Sequence, residues 1–545
     1  MTIALVAINA KYIHSALGVY SLYAYLSEEE KRHVRVMEFT INQAEDFIVS
    51  EILRAQPDVL AFSCYIWNIG LVESLIETFK KVLPEVPIVL GGPEVFGDTA
   101  ELWGVDAVVQ GEGEEAFRAL VRGRMENLGN EAVPLDTIPF SYPNFDHLAN
   151  RIIYYETSRG CVNRCGFCLS SATTGVRFLS MERVKEDLDK FLAASVKQVK
   201  FVDRTFNCHK PHAMEIWQYL IKHDNGTTNF HFEIAGELLD DEMLNILGQA
   251  RKGLFQFEIG VQSTNPQTLK AIKRKTNTTK IFDNVAKLKS YKNIHLHLDL
   301  IVGLPHENYE SFKKSFNDVF ACRPHKLQLG FLKLLKGSQL RIEADKHGIL
   351  YKNHAPYNVL QTNDITFAEI NLLHKIEHML ETFYNGTGFS ATVEFLLQNF
   401  PSPFGLFHDI ALHWEEEGYH LVSHKKMALY TFLYNFASHS TSLRAPLGAP
   451  EHCEFVSIVR ELLKYDMLCQ ENVRTFPQWI DEYYQPDNLK ITRTTAIHTF
   501  EYDICKWLSD TTKALAETQC SVAFDYTKAE RSSLHASITN VIPST

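Results

Sequence analysis

Short apolar runs alternate with segments of helical periodicity through the first 125 residues. The apolar runs, which are rich in β-branched residues and predict strands, lie at 3–8, 34–39, 59–62, 88–90 and 107–109. Apolar residues at helical spacing predict helices within 16–26, 47–53, 72–82 and 115–121. This alternation predicts an α/β domain with helices on both faces of a parallel sheet, which binds ligands at the carboxyl ends of its strands.

A second alternating region follows a turn-rich stretch, residues 126–150, which contains Pro134, Pro139 and Pro143 and is interpreted as a linker. Strands are predicted at 152–157, 199–202, 230–234, 255–259, 296–302 and 326–331. Helical segments lie between them, for example 184–192 and 214–221. Six strand–helix units favour an open or partial (β/α)6 barrel over residues 151–335.

Beyond residue 335 the strand patterns fade. Helical spacing is carried by Ile370, Leu373, Ile376, Leu380 and Phe383. Thr366 with Glu369 is typical of a capping box, and Gly386 of a helix end. We therefore expect residues 336–545 to form a mainly helical domain, to which no motif assigns a role.

Composition narrows the class of protein. The chain has 545 residues, a formal charge of −12, 45% hydrophobic and 22% charged residues, which is typical of a globular protein. An acidic balance gives no reason to expect a nucleic-acid or anionic-membrane partner. No apolar run approaches the ~18 residues of a membrane span, and no basic segment precedes the first strand, so we expect a cytoplasmic protein without a secretory signal.

Three of the ten cysteines, Cys161, Cys165 and Cys168, lie within eight positions, directly after the first strand of the second region. Three thiolates on one short loop can hold three irons of a cubane cluster and leave the fourth iron open for a small molecule. A zinc site or three unrelated buried thiols are the alternatives. Zinc sites usually need a second cysteine pair, and the sequence has no matching pair.

The C-x3-C-x2-C spacing, with Phe167 before the last cysteine, resembles the radical S-adenosylmethionine (SAM) superfamily. The likeness extends over about residues 152–335, through the segments 201–206 (FVDRTF), 257–263 (FEIGVQS) and 298–305 (LDLIVGLP). It implies a [4Fe–4S] cluster on the three cysteines, whose open iron binds SAM.

The same likeness suggests residues at strand ends that contact SAM. Asp203, Gln262 and Ser263 could hydrogen-bond its amino, carboxylate or ribose groups, and Gly303 would allow its adenine to approach the backbone. Structural hydrogen bonds are the alternative for each. Glu233 and Glu258 lie within strands, and the sequence leaves open whether they face inward.

In the first domain, the loops after the predicted strands resemble those of cobalamin-binding domains of the flavodoxin-like (Rossmann-type) fold. The likeness assigns cobalamin contacts to Ser63, Tyr65, Trp67, Gly91, Gly92, Gly111 and Gly113. Generic turns, or a flavin or dinucleotide domain, are the alternatives, but no Gly-x-Gly-x-x-Gly opens the first helix.

The segment around His14 lacks the Asp-x-His-x-x-Gly pattern that places histidine on cobalt, so His14 is not assigned as a ligand. We expect the lower cobalt face to be occupied by water or shielded by Tyr65 or Trp67. Packing of these two rings beneath their own loop is the alternative.

Together these resemblances imply a cobalamin-binding domain (1–125), a linker (126–150), a radical SAM domain (151–335) and a helical domain (336–545). The implied activity is methyl transfer from cobalamin to a substrate radical generated by SAM cleavage, with an electron donor such as flavodoxin or ferredoxin. The substrate, a small molecule or a peptide, and any catalytic residue remain unassigned. Ring contraction or oxidative cyclisation with the same cofactors is one alternative. A cobalamin-binding sensor or carrier with a structural cluster is the other.

Overall fold

The computed structural model describes residues 1–95, 103–125, 128, 131–142, 144–172, 175–439, 452–473, 475–481, 494–527 and 537–541. They form two compact units. The first comprises residues 1–325 and 329–370, and the second comprises residues 326–328 and 371–545. Among the described residues, no helix combines the length and apolar character that a membrane span requires.

The first unit begins with a five-stranded parallel sheet of order β2-β1-β3-β4-β5. Its strands are β1 (Ile3–Asn9), β2 (Val34–Thr40), β3 (Val59–Ser63), β4 (Ile88–Gly91) and β5 (Ala107–Val109). The helices are Leu17–Ala24, Glu28–Lys31, Glu45–Arg54, Ile69–Val82 and Glu114–Val121. Every residue of β1 is buried, as expected for a central strand covered by helices on both faces. The predicted α/β domain is thus confirmed.

A six-stranded sheet follows, in which the strands lie in sequence order as a partial barrel. Its strands are β6 (Ile153–Tyr155), β9 (Gln198–Phe201), β10 (Asn229–Ile234), β11 (Phe255–Gln262), β12 (His295–Val302) and β13 (Lys326–Phe331). Its helices are Met181–Ala193, Lys210–Lys222, Asp241–Leu247, Pro266–Ala271, Thr278–Ser290 and Tyr309–Phe320. Burial alternates strictly along β11, so one face packs under helices and the other lines the barrel.

Two short hairpins of the first unit are absent from the sequence-based prediction. β7 (Ser158–Gly160) pairs with β8 (Val176–Phe178), and β14 (Leu350–Tyr351) pairs with β15 (Val359–Gln361). We call β7 and β8 the cysteine hairpin, because the segment that connects them carries the three cysteines. The helix Gln339–Ile342 completes this part of the chain, and the helix Phe367–Met379 begins in the first unit and continues in the second. The capping box of Thr366 and Glu369 forms as predicted.

The second unit is mainly helical, as predicted. Its helices are the π-helical turn Leu380–Asn385, then Ser390–Gln398, Pro403–Glu416, Lys426–His439, His452–Gln470, Gln478–Asp481 and Ile504–Ser509. It also contains an antiparallel sheet that the sequence-based prediction lacks, formed by β16 (Thr495–Phe500), β17 (Cys520–Asp525) and β18 (Ser537–Val541).

Candidate active site

The cysteine loop, residues 161–168, leaves the barrel directly after β7. Cys161, Cys165 and Cys168 are all free thiols. The backbone N–H of Cys168 donates to the carbonyl of Cys165 at 3.1 Å, which folds the loop into a tight turn. Burial raises the pKa of the Cys165 thiol; the Arg274 guanidinium, 3.8 Å from its sulfur, opposes this effect. The charges of Cys168 and Cys161 raise the pKa of Cys165 further.

This donor set fits an iron–sulfur cluster. Three thiols on one loop supply soft ligands to one centre, and cysteine thiolates are the usual ligands of such clusters. The loop is held from outside by two backbone hydrogen bonds of Gly166, which donates to Ile272 at 2.9 Å and accepts from Leu340 at 2.8 Å.

Asp203 lies directly after β9 and is almost fully buried. Its carboxylate accepts hydrogen bonds from the Thr157 N–H at 3.1 Å, the Thr157 hydroxyl at 2.7 Å and the Ser158 hydroxyl at 2.5 Å. Burial raises its pKa to about 6, although these hydrogen bonds favour the charged form. The carboxylate therefore anchors the start of the cysteine hairpin, and its side chain is occupied by protein donors.

Gln262 ends β11 with a positive φ of 71°, at an irregularity in the pairing with β12. Its side chain folds over Gly260, where a Cβ would collide with the Gln262 amide. The next residue, Ser263, is fully buried and donates to Glu307 Oε1 at 2.6 Å. The structure thus brings Gln262 to the barrel rim and turns the Ser263 hydroxyl toward a neighbouring loop.

Gly303 directly follows β12 and has a φ of +86°. A Cβ at this position would lie 2.8 Å from Cγ1 of Val359 in β15. Glycine is therefore required here by the backbone conformation and by the packing of β15.

Ionisable side chains line the barrel interior, and this network was not predicted. Glu258 accepts from Lys200 at 3.0 Å and lies 3.2 Å from His231 Nε2, while Lys200 lies 3.6 Å from Glu233. His297 contacts Asp299 at 2.7 Å. Glu233 and Glu258 thus face inward. The sequence contains a pattern that indicates this orientation, because Phe230, Phe232 and Ile234 alternate with His231 and Glu233.

The carboxylates of this network differ in the direction of their pKa shifts. Burial raises the pKa of Glu233 and of Asp299. For Glu258, burial raises the pKa as well, but the neighbouring His231 and the Lys200 charge outweigh it, so the pKa lies below its usual range. The barrel interior therefore combines the Glu258 carboxylate, which favours the ionised form, with Glu233 and Asp299, which are more easily protonated.

The predicted cobalamin loops lie at the carboxyl ends of the N-terminal strands. Gly91 ends β4, and Gly92 follows with a φ of +111°. A Cβ on Gly92 would lie 2.5 Å from the carbonyl oxygen of Cys64, whereas one on Gly91 would meet only Val109 at 3.7 Å. Gly92 is thus required by close contact between two strand ends.

After β5, Gly111 has a φ of +82° and Gly113 precedes the helix Glu114–Val121. A Cβ on Gly113 would touch Leu22 at 3.0 Å. Between the two glycines, Glu112 extends to Arg159 and Arg177 of the cysteine hairpin.

The loop after β3 presents two stacked aromatic rings. Tyr65 and Trp67 lie 4.4 Å apart with their planes at 7°. Burial raises the pKa of Tyr65, and the Ser63 side chain opposes this shift. Trp67 Nε1 donates to the Ile8 carbonyl at 3.1 Å. Asn68 fixes this loop, since it accepts from the Tyr65 N–H at 2.8 Å and donates to the Ser63 carbonyl at 2.9 Å. Trp67 remains 44% exposed.

The N-terminal loops contact the barrel side of the first unit. His14 Nδ1 lies 2.7 Å from the hydroxyl of Tyr154 in β6, and Arg151 pairs with Glu38 at 2.7 Å. Burial lowers the pKa of His14, so its ring favours the neutral form. Tyr65 lies within electrostatic range of Arg204, which follows β9.

The loop after β4 makes a further contact of this kind. Glu94 is buried and accepts from the Tyr357 hydroxyl at 2.9 Å. Burial raises the pKa of Glu94, while that hydrogen bond, Lys336 and Arg341 oppose the shift. The strand ends of the N-terminal sheet therefore face the same region as the cysteine loop.

Three family models match successive parts of the chain. They are the B12 binding domain over residues 3–121, the Radical SAM superfamily over residues 155–319, and a protein of unknown function (DUF4080) over residues 345–496.

Two curated relatives are methyltransferases by name. The chain is 28% identical over 321 residues to 2-(S-pantetheinyl)-carbapenam-3-carboxylate methyltransferase of Streptantibioticus cattleyicolor, covering 49% of this chain and 46% of the relative. It is 26% identical over 359 residues to the cobalamin-dependent radical SAM methyltransferase TokK of Streptomyces tokunonensis, covering 55% and 50%. The chain thus matches about half the length of each.

Solved structures share the fold. The methyltransferase TsrM of Kitasatospora setae, solved with cobalamin and a [4Fe–4S] cluster, superposes with a TM-score of 0.54 at 15% identity, covering 66% of this chain and 82% of that one. OxsB, a cobalamin-dependent SAM radical enzyme, superposes with a TM-score of 0.56 at 16% identity, covering 86% and 79%.

These domains imply a [4Fe–4S] cluster, SAM and cobalamin as cofactors. The chain carries a B12-binding domain followed by a radical SAM domain, and it is homologous to cobalamin-dependent radical SAM methyltransferases.

Proposed function

We propose that the chain is a cobalamin-dependent radical SAM methyltransferase that acts on an unactivated carbon. One observation carries this proposal: the loops at the strand ends of the B12-binding domain contact the barrel side that bears the cysteine loop. Two cofactors held on these facing loops would reach one substrate between them. The division into residues 1–125, 126–150, 151–335 and 336–545 is part of the proposal.

When bound, the cluster supplies an electron to cleave SAM into an adenosyl radical, and cobalamin supplies a methyl group. Cys161, Cys165 and Cys168 would hold the cluster. Arg274 places a positive charge 3.8 Å from the Cys165 sulfur, which offsets the negative charge of the thiolate. The facing loops of the two domains would keep water away from the reacting groups.

Among the residues proposed for SAM, Gln262 has the position of a contact residue, because it ends β11 at the rim with its amide beside Gly260. Asp203 and Ser263 would act through other residues, since their side chains are already bonded to residues 157–158 and to Glu307. Gly303 would shape the rim without contact to adenine.

For cobalamin, we propose that the strand-end loops carrying Ser63, Gly91, Gly92, Gly111 and Gly113 surround the corrin. His14 is hydrogen-bonded to the Tyr154 hydroxyl through Nδ1. This contact of the ring with Tyr154 supports a lower cobalt face without histidine.

The exposed face of Trp67, stacked on Tyr65, is the proposed shield of that lower face. Electron paramagnetic resonance of the cobalt(II) form tests this assignment. We expect no nitrogen superhyperfine splitting, and a nitrogen splitting would exclude it.

The enzyme needs a reductant and a substrate, and we propose flavodoxin or ferredoxin as the electron donor. The test of function is anaerobic reconstitution with iron, sulfide and cobalamin, followed by incubation with SAM, reductant and cell extract. We expect a product heavier by one methyl group, with S-adenosylhomocysteine and 5′-deoxyadenosine formed beside it.

Two other outcomes would overturn the proposal in distinct ways. A changed product without an added methyl group, with 5′-deoxyadenosine formed, would indicate ring contraction or oxidative cyclisation. Cobalamin binding without any cleavage of SAM under strong reductant would indicate a sensor or carrier.

A further inference from the structure

The cysteine hairpin places two arginines side by side. Arg159 in β7 and Arg177 in β8 are direct cross-strand partners. Because like charges opposite each other destabilise an antiparallel pair, this register requires a neighbouring anion. The cluster-binding cysteines lie in the segment that these two strands close, so the register of the hairpin determines the position of the cysteine loop.

Glu112 of the B12-binding domain supplies that anion. Its Oε2 accepts from Arg159 Nη1 at 2.9 Å, and its Oε1 accepts from Arg177 Nη2. Arg159 also pairs with Glu114 at 3.0 Å and with Glu156 at 2.8 Å. These contacts are partly buried, with Arg159 21% and Glu114 5% exposed, so they are less screened than surface ion pairs.

The hairpin transmits this contact directly to the cysteine loop. Gly160, between Arg159 and Cys161, has a φ of +112°, and a Cβ there would collide with the carbonyl oxygen of Gly175. The two strands are therefore closely apposed where the loop begins. A displacement of Arg159 would shift the Cys161 ligand, since only one residue separates them.

We propose that Glu112 is a positioning residue that fixes the cysteine loop relative to the glycine loop of the B12-binding domain by bridging Arg159 and Arg177. The proposal rests on the proposed function. It assigns Glu112 no contact with SAM, cobalamin or substrate. Its side chain sets how far the radical-generating centre lies from the methyl donor.

The test compares Glu112→Gln with the matched control Glu115→Gln. Glu115, three positions along, pairs with Arg118 and the Tyr25 hydroxyl, and among the described residues it has no partner outside the B12-binding domain. Iron and cobalamin contents are measured first, so that variants are compared at equal loading. We expect Glu112→Gln to keep 5′-deoxyadenosine formation within about twofold of the wild type, while methylated product per 5′-deoxyadenosine falls about tenfold or more.

A spin-based distance measurement between cobalt(II) and the reduced cluster provides a readout independent of turnover. The distance distribution should broaden in Glu112→Gln and remain narrow in Glu115→Gln. Arg177→Gln should reproduce the effect, and the double variant with Glu112→Gln should add little, because both changes remove the same bridge.

Unchanged product ratio and distance distribution in Glu112→Gln would overturn the proposal. If the wild type neither loads cofactors nor cleaves SAM, the proposed function fails, and hydrogen exchange of the unloaded chain still tests the bridge. Peptides that cover β7 and β8 should then exchange faster in Glu112→Gln than in Glu115→Gln, and equal rates would contradict the bridge.

Discussion

Two adjacent glycines of the B12-binding domain allow a structural requirement to be separated from a ligand contact. Gly92 has a φ of +111°, and a Cβ there would lie 2.5 Å from the Cys64 carbonyl oxygen. For alanine, a conformation of this kind costs about 1–3 kcal/mol, and overpacking adds about 1–3 kcal/mol. Gly92→Ala should therefore destabilise this domain by about 2–6 kcal/mol even without cobalamin. Gly91→Ala, whose Cβ would meet only Val109 at 3.7 Å, is the matched control.

Hydrogen exchange followed by mass spectrometry measures this on the whole unloaded chain, in peptides that cover β3 and β4. A loss of about 2 kcal/mol or more corresponds to exchange about 30-fold faster or more, because each 1.4 kcal/mol is tenfold. Gly91→Ala should remain within about threefold of the wild type. If both variants exchange like the wild type and only cobalamin affinity falls in Gly92→Ala, the structural reasoning is refuted.

Three further changes have defined outcomes. Burial raises the pKa of Glu307 from 4.5 to about 7. The folded state therefore loses stability as the pH rises from about 4.5 to about 7, and the loss reaches about 3 kcal/mol above pH 7. Glu307→Gln should gain thermal stability relative to the wild type at about pH 8.5 but not at about pH 4, and a constant difference would contradict this. Asp203→Ala leaves the buried Thr157 N–H without an acceptor and should destabilise the cysteine hairpin by about 1–3 kcal/mol or more, measured by exchange of its amides. Arg274→Gln removes a positive charge beside Cys165 and should lower the reduction potential of the reconstituted cluster by on the order of 50 mV, whereas an unchanged potential would exclude this role.

Periodicity predicted the fold well where strands are long and covered on both faces. The continuous apolar run of β1 and the alternation in β11 leave few other solutions. The strands of the cysteine hairpin escaped prediction because three residues centred on an arginine carry no periodic pattern. The C-terminal sheet was missed although β17 carries an alternating pattern, in which Cys520, Val522 and Phe524 are buried.

At the site, the three cysteines could be predicted from the sequence because a metal site on one loop would fix their spacing. Contacts between segments that are distant in the chain could not be predicted from the sequence. The bridge from Glu112 to Arg159 joins residues 47 positions apart, and nothing local marks either partner. The role of Gly92 likewise depends on the backbone of Cys64, which directly follows β3, so packing also requires a glycine that suggested a ligand contact.

The central claim is that the three cysteines and the strand-end loops hold two cofactors that work on SAM together. The most direct measurement is the iron, sulfide and cobalamin content of anaerobically reconstituted chain, with 5′-deoxyadenosine formation measured in the same samples. We predict about four irons, four sulfides and one cobalamin per chain with steady cleavage of SAM, and loss of iron and cleavage but retained cobalamin in Cys165→Ala. Wild-type chain that takes up neither cofactor, or a Cys165→Ala variant that cleaves SAM as well as the wild type, would contradict the account.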